Sequence, residues 1–177
     1  MRIAVSGVRD LSPHDLPVIE GIISDIIFEG PEELLFGGAR GTDTVALASA
    51  CATLGGIRPP RLTVIVPRRL KDQPLEAQEW ARECADEIIE IKSPRLDTEA
   101  YRRRNQALIR RADGLVAFWD GHSGGTGMTI DLAGKAGIPV EIIEILGLSP
   151  EMGANGGRHK PIWIPGLKSG VSAARRL

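Results

Sequence analysis

The segment DGLVAFW, Asp113 to Trp119, constrains the fold more than any other part of the chain. After its aspartate it is an unbroken apolar run, the composition of a strand covered on both faces, and such strands belong to parallel sheets flanked by helices. Five more segments read as strands: IAVSG at 3–7, ELLFGG at 33–38, RLTVIVP at 61–67, DEIIEI at 86–91 and IPVEII at 138–143. Between them the period changes. Leu16, Ile19, Ile22, Ile23, Ile26 and Ile27 recur at helical spacing after a Ser12-Pro13 start signal. Helices are likewise predicted over 42–56, stopped by Gly55 and Gly56, and over 73–84, 98–112 and 126–136. Strands alternating with helices of this length build βαβ units. The expected fold is α/β, a Rossmann-like, doubly wound and mostly parallel sheet of about six strands with helices on both faces.

A chain of 177 residues, 42% hydrophobic, holds one such domain, assigned to 1–146. Residues 147–177 read as a Gly/Pro-rich basic tail with Arg158, Lys160, Lys168, Arg175 and Arg176, no acid after Glu151, and an extra strand at PIWIP, 161–165. Lys and Arg total 22 against 23 Asp and Glu, so no excess positive charge prepares the protein for nucleic acid or a membrane. The longest apolar runs reach only half of the roughly 20 residues a span requires. MRIAVSGVRD enters a strand directly, without the pattern of a secretory signal, so a cytoplasmic protein is expected. Cys51 and Cys84 have no CxxC spacing and read as buried free thiols; His14, His122 and His159 have no ligand-like spacing, so no metal site is expected.

Ligands of open α/β sheets bind beyond the carboxyl ends of the strands, where helix N-termini present N–H groups. Two such ends are rich in glycine. In FGGARGTDT, 36–44, Gly37, Gly38 and Gly41 flank Ala39 and Arg40, and Thr42 is placed to cap the next helix. In FWDGHSGGTGMT, 118–129, Gly124, Gly125, Thr126 and Gly127 form the second candidate cradle. One glycine-rich turn is most often structural; two on one sheet are harder to dismiss. Neither fits GxGxxG with a following acid, and no GxxxxGK[ST] occurs, which disfavours a conventional dehydrogenase or P-loop ATPase. The helix YRRRNQALIRR, 101–111, adds Arg104 and Asn105 as donors to phosphate or carboxylate, against the alternative of a solvated charged face.

SGVRD (6–10), GGARGTD (37–43), RRN (103–105) and LVAFWDGHSGGTGMTIDLAGKAGIPV (115–140) together resemble the SLOG superfamily, and most closely its YspA-like branch. That superfamily includes DNA-processing protein A, the LOG phosphoribohydrolases and the molybdenum cofactor carriers. The resemblance implies a nucleotide or nucleotide-derived, phosphate-bearing ligand held across both turns. No required cofactor is implied beyond a bound nucleotide or a molybdenum cofactor-like pterin. It also implies a homo-oligomer, for which the isoleucine-rich helix 19–27 is the candidate surface. The LOG motif PGGxGTxxE falls here on Ser123, Gly124, Gly125, Gly127, Met128 and Asp131, with a shorter carboxylate at the catalytic glutamate and methionine at the threonine.

Beside these lie Gly7 and Arg9, the latter either a phosphate ligand or a partner of Asp10. Asp43 either accepts from a ribose hydroxyl or complements the helix dipole. Trp119 either stacks on a base or belongs to the core, and Asp120 closes the strand. Asp120, His122 and Ser123 are too close in sequence to converge as a triad. Three functions follow: a nucleotide-type sensor or carrier, first; a hydrolase of the N-glycosidic bond of nucleoside monophosphates, with Asp131 and Arg104 catalytic; and a single-stranded DNA binder, which the overall charge of −1 disfavours.

Overall fold

In six strands successive residues leave for opposite faces of one sheet, and the four central strands are buried on both faces. The computed structural model describes residues 1–53 and 59–147. In chain order the elements are β1 (Arg2–Gly7), α1 (Leu16–Phe28), β2 (Glu33–Phe36), α2 (Thr42–Thr53), β3 (Arg61–Val66), a single 3-10 turn at Leu70–Asp72, α3 (Leu75–Cys84), β4 (Glu87–Glu90), α4 (Thr98–Arg111), β5 (Gly114–Trp119), α5 (Gly124–Ala136) and β6 (Val140–Glu144). The strands lie in the order β4-β3-β2-β1-β5-β6, every pair parallel. This is the Rossmann-like α/β fold. The expected stop at Gly55 and Gly56 and the tail with its PIWIP strand lie outside the described residues.

The unbroken apolar runs have a direct cause. Ile3, Val5, Leu34, Phe36, Leu62, Val64, Val116 and Phe118 pack into one core with α1, α2 and α3. Their neighbours Ala4, Leu35, Ile65, Leu115 and Ala117 pack into the other with α4 and α5. A strand between two helix layers has no polar position to spare. Phe36 and Phe118 are fully buried, and truncating either to alanine would cost about 3–5 kcal/mol.

The topology also fixes where a ligand enters. From β1 the chain builds outward through β2, β3 and β4, then α4 carries it back across the sheet to β5 on the other side of β1. The carboxyl ends of β1 and β5 therefore diverge into loops on opposite sides, and a crevice opens between them. Gly7 pairs with Phe118 in register, and Val8 N–H continues the ladder to the Phe118 carbonyl at 3.2 Å.

Three expectations need correction. Cys51 and Cys84 are not free thiols: they form a disulfide joining α2 to the last residue of α3, Cα to Cα 5.7 Å. Helix packing brings together residues 33 apart in sequence, which no local spacing rule detects. Ile19, Ile23, Ile26 and Ile27 are core, so the apolar stripe of α1 is spent against the sheet instead of forming a surface for a second copy. Finally, α5 begins at Gly124, two residues before the predicted start, so Gly124 and Gly125 are its first turn. Among the described residues no helix is long and apolar enough to cross a membrane, and no cluster of three or more His, Cys, Asp or Glu is placed to hold a metal.

Candidate functional site

A cleft of about 790 Å³ occupies the crevice beyond β1 and β5. Its floor is Ser6, Gly7 and Val8 at the end of β1; its walls are α4, through Tyr101, Arg104 and Asn105, and the first turns of α5 from Ser123 to Thr129. Asp10, Ala39, Asp43, Asp97, Thr98 and Asp120 complete it.

The α5 wall presents hydrogen-bond donors to the cleft. Asp120 accepts from the N–H groups of His122 at 2.9 Å and Ser123 at 2.7 Å and from the Ser123 hydroxyl at 2.9 Å, which holds the loop ahead of the helix. Burial pushes its carboxyl up, but those bonds outweigh it and hold Asp120 below the usual carboxylate range. The N–H groups of Gly124, Gly125 and Thr126 open the helix and have no intrahelical acceptor. The Thr126 side chain lines the cleft, is 2% exposed, and its Oγ1 has no hydrogen-bond partner among the described residues. A buried hydroxyl left unpaired costs roughly 1–3 kcal/mol, so this donor gains from any acceptor that reaches it.

Thr129, one turn on, ties the walls together. Its Oγ1 donates to the Gly125 carbonyl at 3.1 Å and accepts from Asn105 Nδ2 at 2.9 Å and from Ser6 Oγ at 3.3 Å. Asn105 is thereby anchored through its amide nitrogen, which leaves its amide oxygen for a ligand.

On the other side lie the arginines. Arg104 Nη1 stands 3.5 Å from Asp43 Oδ2, and Asp43 also accepts from the Ala39 N–H at 3.1 Å. The guanidinium occupies the space that a side chain at Gly37 would need, and this close approach explains the glycine. Burial lowers Arg104 from its ordinary value against the opposing pull of Asp43, and Arg9 adds like-charge repulsion. Burial likewise raises Asp43, with Arg104 and the Ala39 N–H opposing. Arg104 Nε has no hydrogen-bond partner among the described residues. The Arg9 guanidinium lies 4.8 Å from the centroid of the Tyr101 ring and makes no ion pair among the described residues. Two arginines thus face one buried carboxylate; of the other acids lining the cleft, Asp10 pairs with Arg40, and Asp97 and Asp120 accept from backbone N–H groups at helix starts.

The structure brings Gly7, Arg9, Ala39, Asp43, Arg104, Asn105, Asp120, Gly124, Gly125 and Thr126 onto one cleft. Gly37, Gly38, Gly41, Thr42 and Gly127 stand behind it; Thr42 does not cap its own helix, but donates through N–H and hydroxyl to the Val8 carbonyl, both at 3.0 Å. Arg40 pairs with Asp10 on the surface at 2.8 Å, and Arg102 and Arg103 pair with Glu99. Trp119 does not line the cleft: its Nε1 donates to the Ser123 carbonyl at 3.2 Å, bracing the loop from behind. Asp131 is exposed and is not among the lining residues, because it leaves α5 on the side away from Thr126 and Thr129. Sequence reasoning did not single out Ser6, Asp97, Thr98 or Tyr101. Tyr101 stands one turn before Arg104 and Asn105, so the helical period was the signal that would have found it.

No family model matches the chain, and no curated protein matches it in sequence. Solved structures do match. DNA processing protein A from Helicobacter pylori, described for its single-stranded DNA binding mode, superposes with a TM-score of 0.64 at 21% identity over 80% of this chain and 64% of its own. The Streptococcus pneumoniae DNA processing protein A gives 0.63 at 19% over 80% of this chain and 49% of its own. The molybdenum cofactor carrier protein of Chlamydomonas reinhardtii gives 0.56 at 21% over 80% and 74%. The chain spans less than two thirds of the length of both DNA-processing proteins. At these identities the likeness is one of fold, and it agrees with the SLOG resemblance of the motifs.

Proposed function

We propose that the protein binds a nucleotide-type ligand through a phosphate at the α5 N-terminus, as a sensor or carrier. The observation that carries this reading is the Thr126 hydroxyl, buried and without a partner among the described residues, beside the first-turn N–H groups of α5. A phosphate oxygen there accepts from the hydroxyl and the amides together, and Arg9 and Arg104 supply the opposing charge. The remaining volume, within the usual range of roughly 300–1,000 Å³ for small-molecule sites, takes the sugar and base beside Tyr101 and Asn105. Among the solved structures of this fold one is named a molybdenum cofactor carrier, and a pterin phosphate meets the same requirements.

Hydrolysis is the weaker reading, because Asp131 lies outside the cleft and Asp43 and Asp120 are engaged in hydrogen bonds within the protein. The test is titration calorimetry of the full chain with nucleoside monophosphates and the parent nucleosides, followed by chromatography of the mixtures for free base. Binding that requires the phosphate and releases no base supports the proposal. Release of base would replace it with the hydrolase; equal affinity for nucleoside and monophosphate would remove the phosphate site.

A further inference from the structure

A second depression of about 530 Å³ lies among α1, α2 and α3, outside the cleft. Leu16, Ala48, Ala52 and Trp80 give it an apolar lining, and its charged lining residues are both acidic, Glu20 and Glu76. Leu16 is 37% exposed and Leu75, next to Glu76, 68%, so an apolar surface continues past the rim.

The sequence that follows β6 holds a segment that fits it. After β6 the backbone returns to the start of α1, where the buried Asp15 accepts from Leu146 N–H at 2.8 Å and Gly147 N–H at 3.0 Å. Asp15 immediately precedes Leu16, so Gly147, the last described residue, is held at the start of α1, where it also stands against Asp10 and Asp120 at the rim of the cleft. The following sequence holds one apolar stretch with a large aromatic, Pro161-Ile162-Trp163-Ile164-Pro165, flanked by Arg158, Lys160 and Lys168 and with no acid after Glu151. From Gly147 to Trp163 is 16 residues, a reach of up to roughly 55 Å, which is ample to cross a domain of this size. Prolines at both ends disfavour helix and suit an extended segment laid in an apolar groove.

We propose that the groove among α1, α2 and α3 is the docking site of the 161–165 segment of the same chain, with Trp163 on its apolar lining and the flanking basic residues against Glu20 and Glu76. The complementarity is double, apolar centre to apolar centre and basic flanks to acidic rim. Docking there leaves the ligand cleft uncovered and does not depend on what the cleft binds.

The experiment places the photoreactive p-benzoylphenylalanine at position 163 of the full chain, irradiates it, and maps the cross-links by mass spectrometry. Cross-links within one chain to peptides of α1, α2 or α3 are expected. Ala48→Arg, which blocks the groove, and separately Glu20→Lys with Glu76→Lys should each lower their yield at least about fivefold, circular dichroism confirming that each variant is folded. Cross-links to Tyr101 or to the Ser123–Thr129 turn would overturn the proposal by placing the segment over the cleft. Cross-links at dimer mass would assign the groove to a second copy, and a yield unaffected by either variant, or no cross-link, would also overturn it.

Discussion

Arg104 Nη1 lies 3.5 Å from Asp43 Oδ2, with the two side chains 9% and 5% exposed. A buried pair of this length contributes little as a bond and is costly to break, since removing one charge strands the other away from water. Arg104→Met should destabilise the protein by about 3–5 kcal/mol, with Asp43, already raised by burial, taking up a proton in the variant. Adding Asp43→Asn should recover most of the stability and none of the ligand affinity. Urea denaturation of the wild type, each single variant and the double variant reads the coupling directly. Losses that simply add in the double variant would show that the two residues do not act as a pair.

The Asp120 carboxylate gives the loop ahead of α5 a pH dependence. Its folded-state value is depressed, so its contribution is present above the unfolded value of roughly 3.9 and is lost as pH falls through the folded value. Asp120→Asn should cost about 1–2 kcal/mol near pH 7, because the amide nitrogen cannot accept from the Ser123 hydroxyl. The gap between wild type and variant should then narrow as pH drops below roughly 4. Denaturation midpoints across pH 2.5–7 measure this, and a gap independent of pH would mean that the charge on Asp120 is not what holds the loop.

Most of the fold was legible because the four central strands are buried on both faces, which writes apolar runs into the sequence. The two glycine turns, Arg104 and Asn105 were legible for a related reason: close backbone approach and fixed donors need particular residue types. Contacts made by packing were not. Nothing near Cys51 or Cys84 signals that α2 and α3 lie side by side, and the stripe on α1 has the same pattern whether it faces the sheet or a second subunit. Asp131 was placed by motif position alone; its exposure follows from the helical phase set by Thr126, Thr129 and Ala133, which point inward together.

The disulfide closes a loop between residues 33 apart, and for a loop of that length chain entropy gives about 3–4 kcal/mol of stabilisation. A reductant, or Cys84→Ser, should lower stability toward urea by that order. Neither cysteine lines the cleft, so ligand affinity should be unchanged wherever the protein stays folded. Calorimetry in the presence and absence of reductant separates the two effects. A fall in affinity that tracks reduction would show that the α2–α3 link positions Asp43 at the other end of α2.

Thr126 offers the sharpest separation of binding from stability. Its Oγ1 makes no bond among the described residues, so Thr126→Val keeps the volume, removes a buried unsatisfied hydroxyl and should leave stability unchanged or raise it by about 1 kcal/mol. A phosphate that accepts from this hydroxyl would lose a charge-assisted bond of about 1.5–3 kcal/mol, a fall in affinity of roughly 10- to 150-fold. Thr126→Ser, which keeps the donor, should retain most of the binding. The parent nucleoside, lacking the phosphate, should bind both variants as it binds wild type. If Thr126→Val instead destabilises the fold and leaves monophosphate affinity intact, the hydroxyl has a partner within the protein, and the anion site must be sought around Arg9 and Arg104.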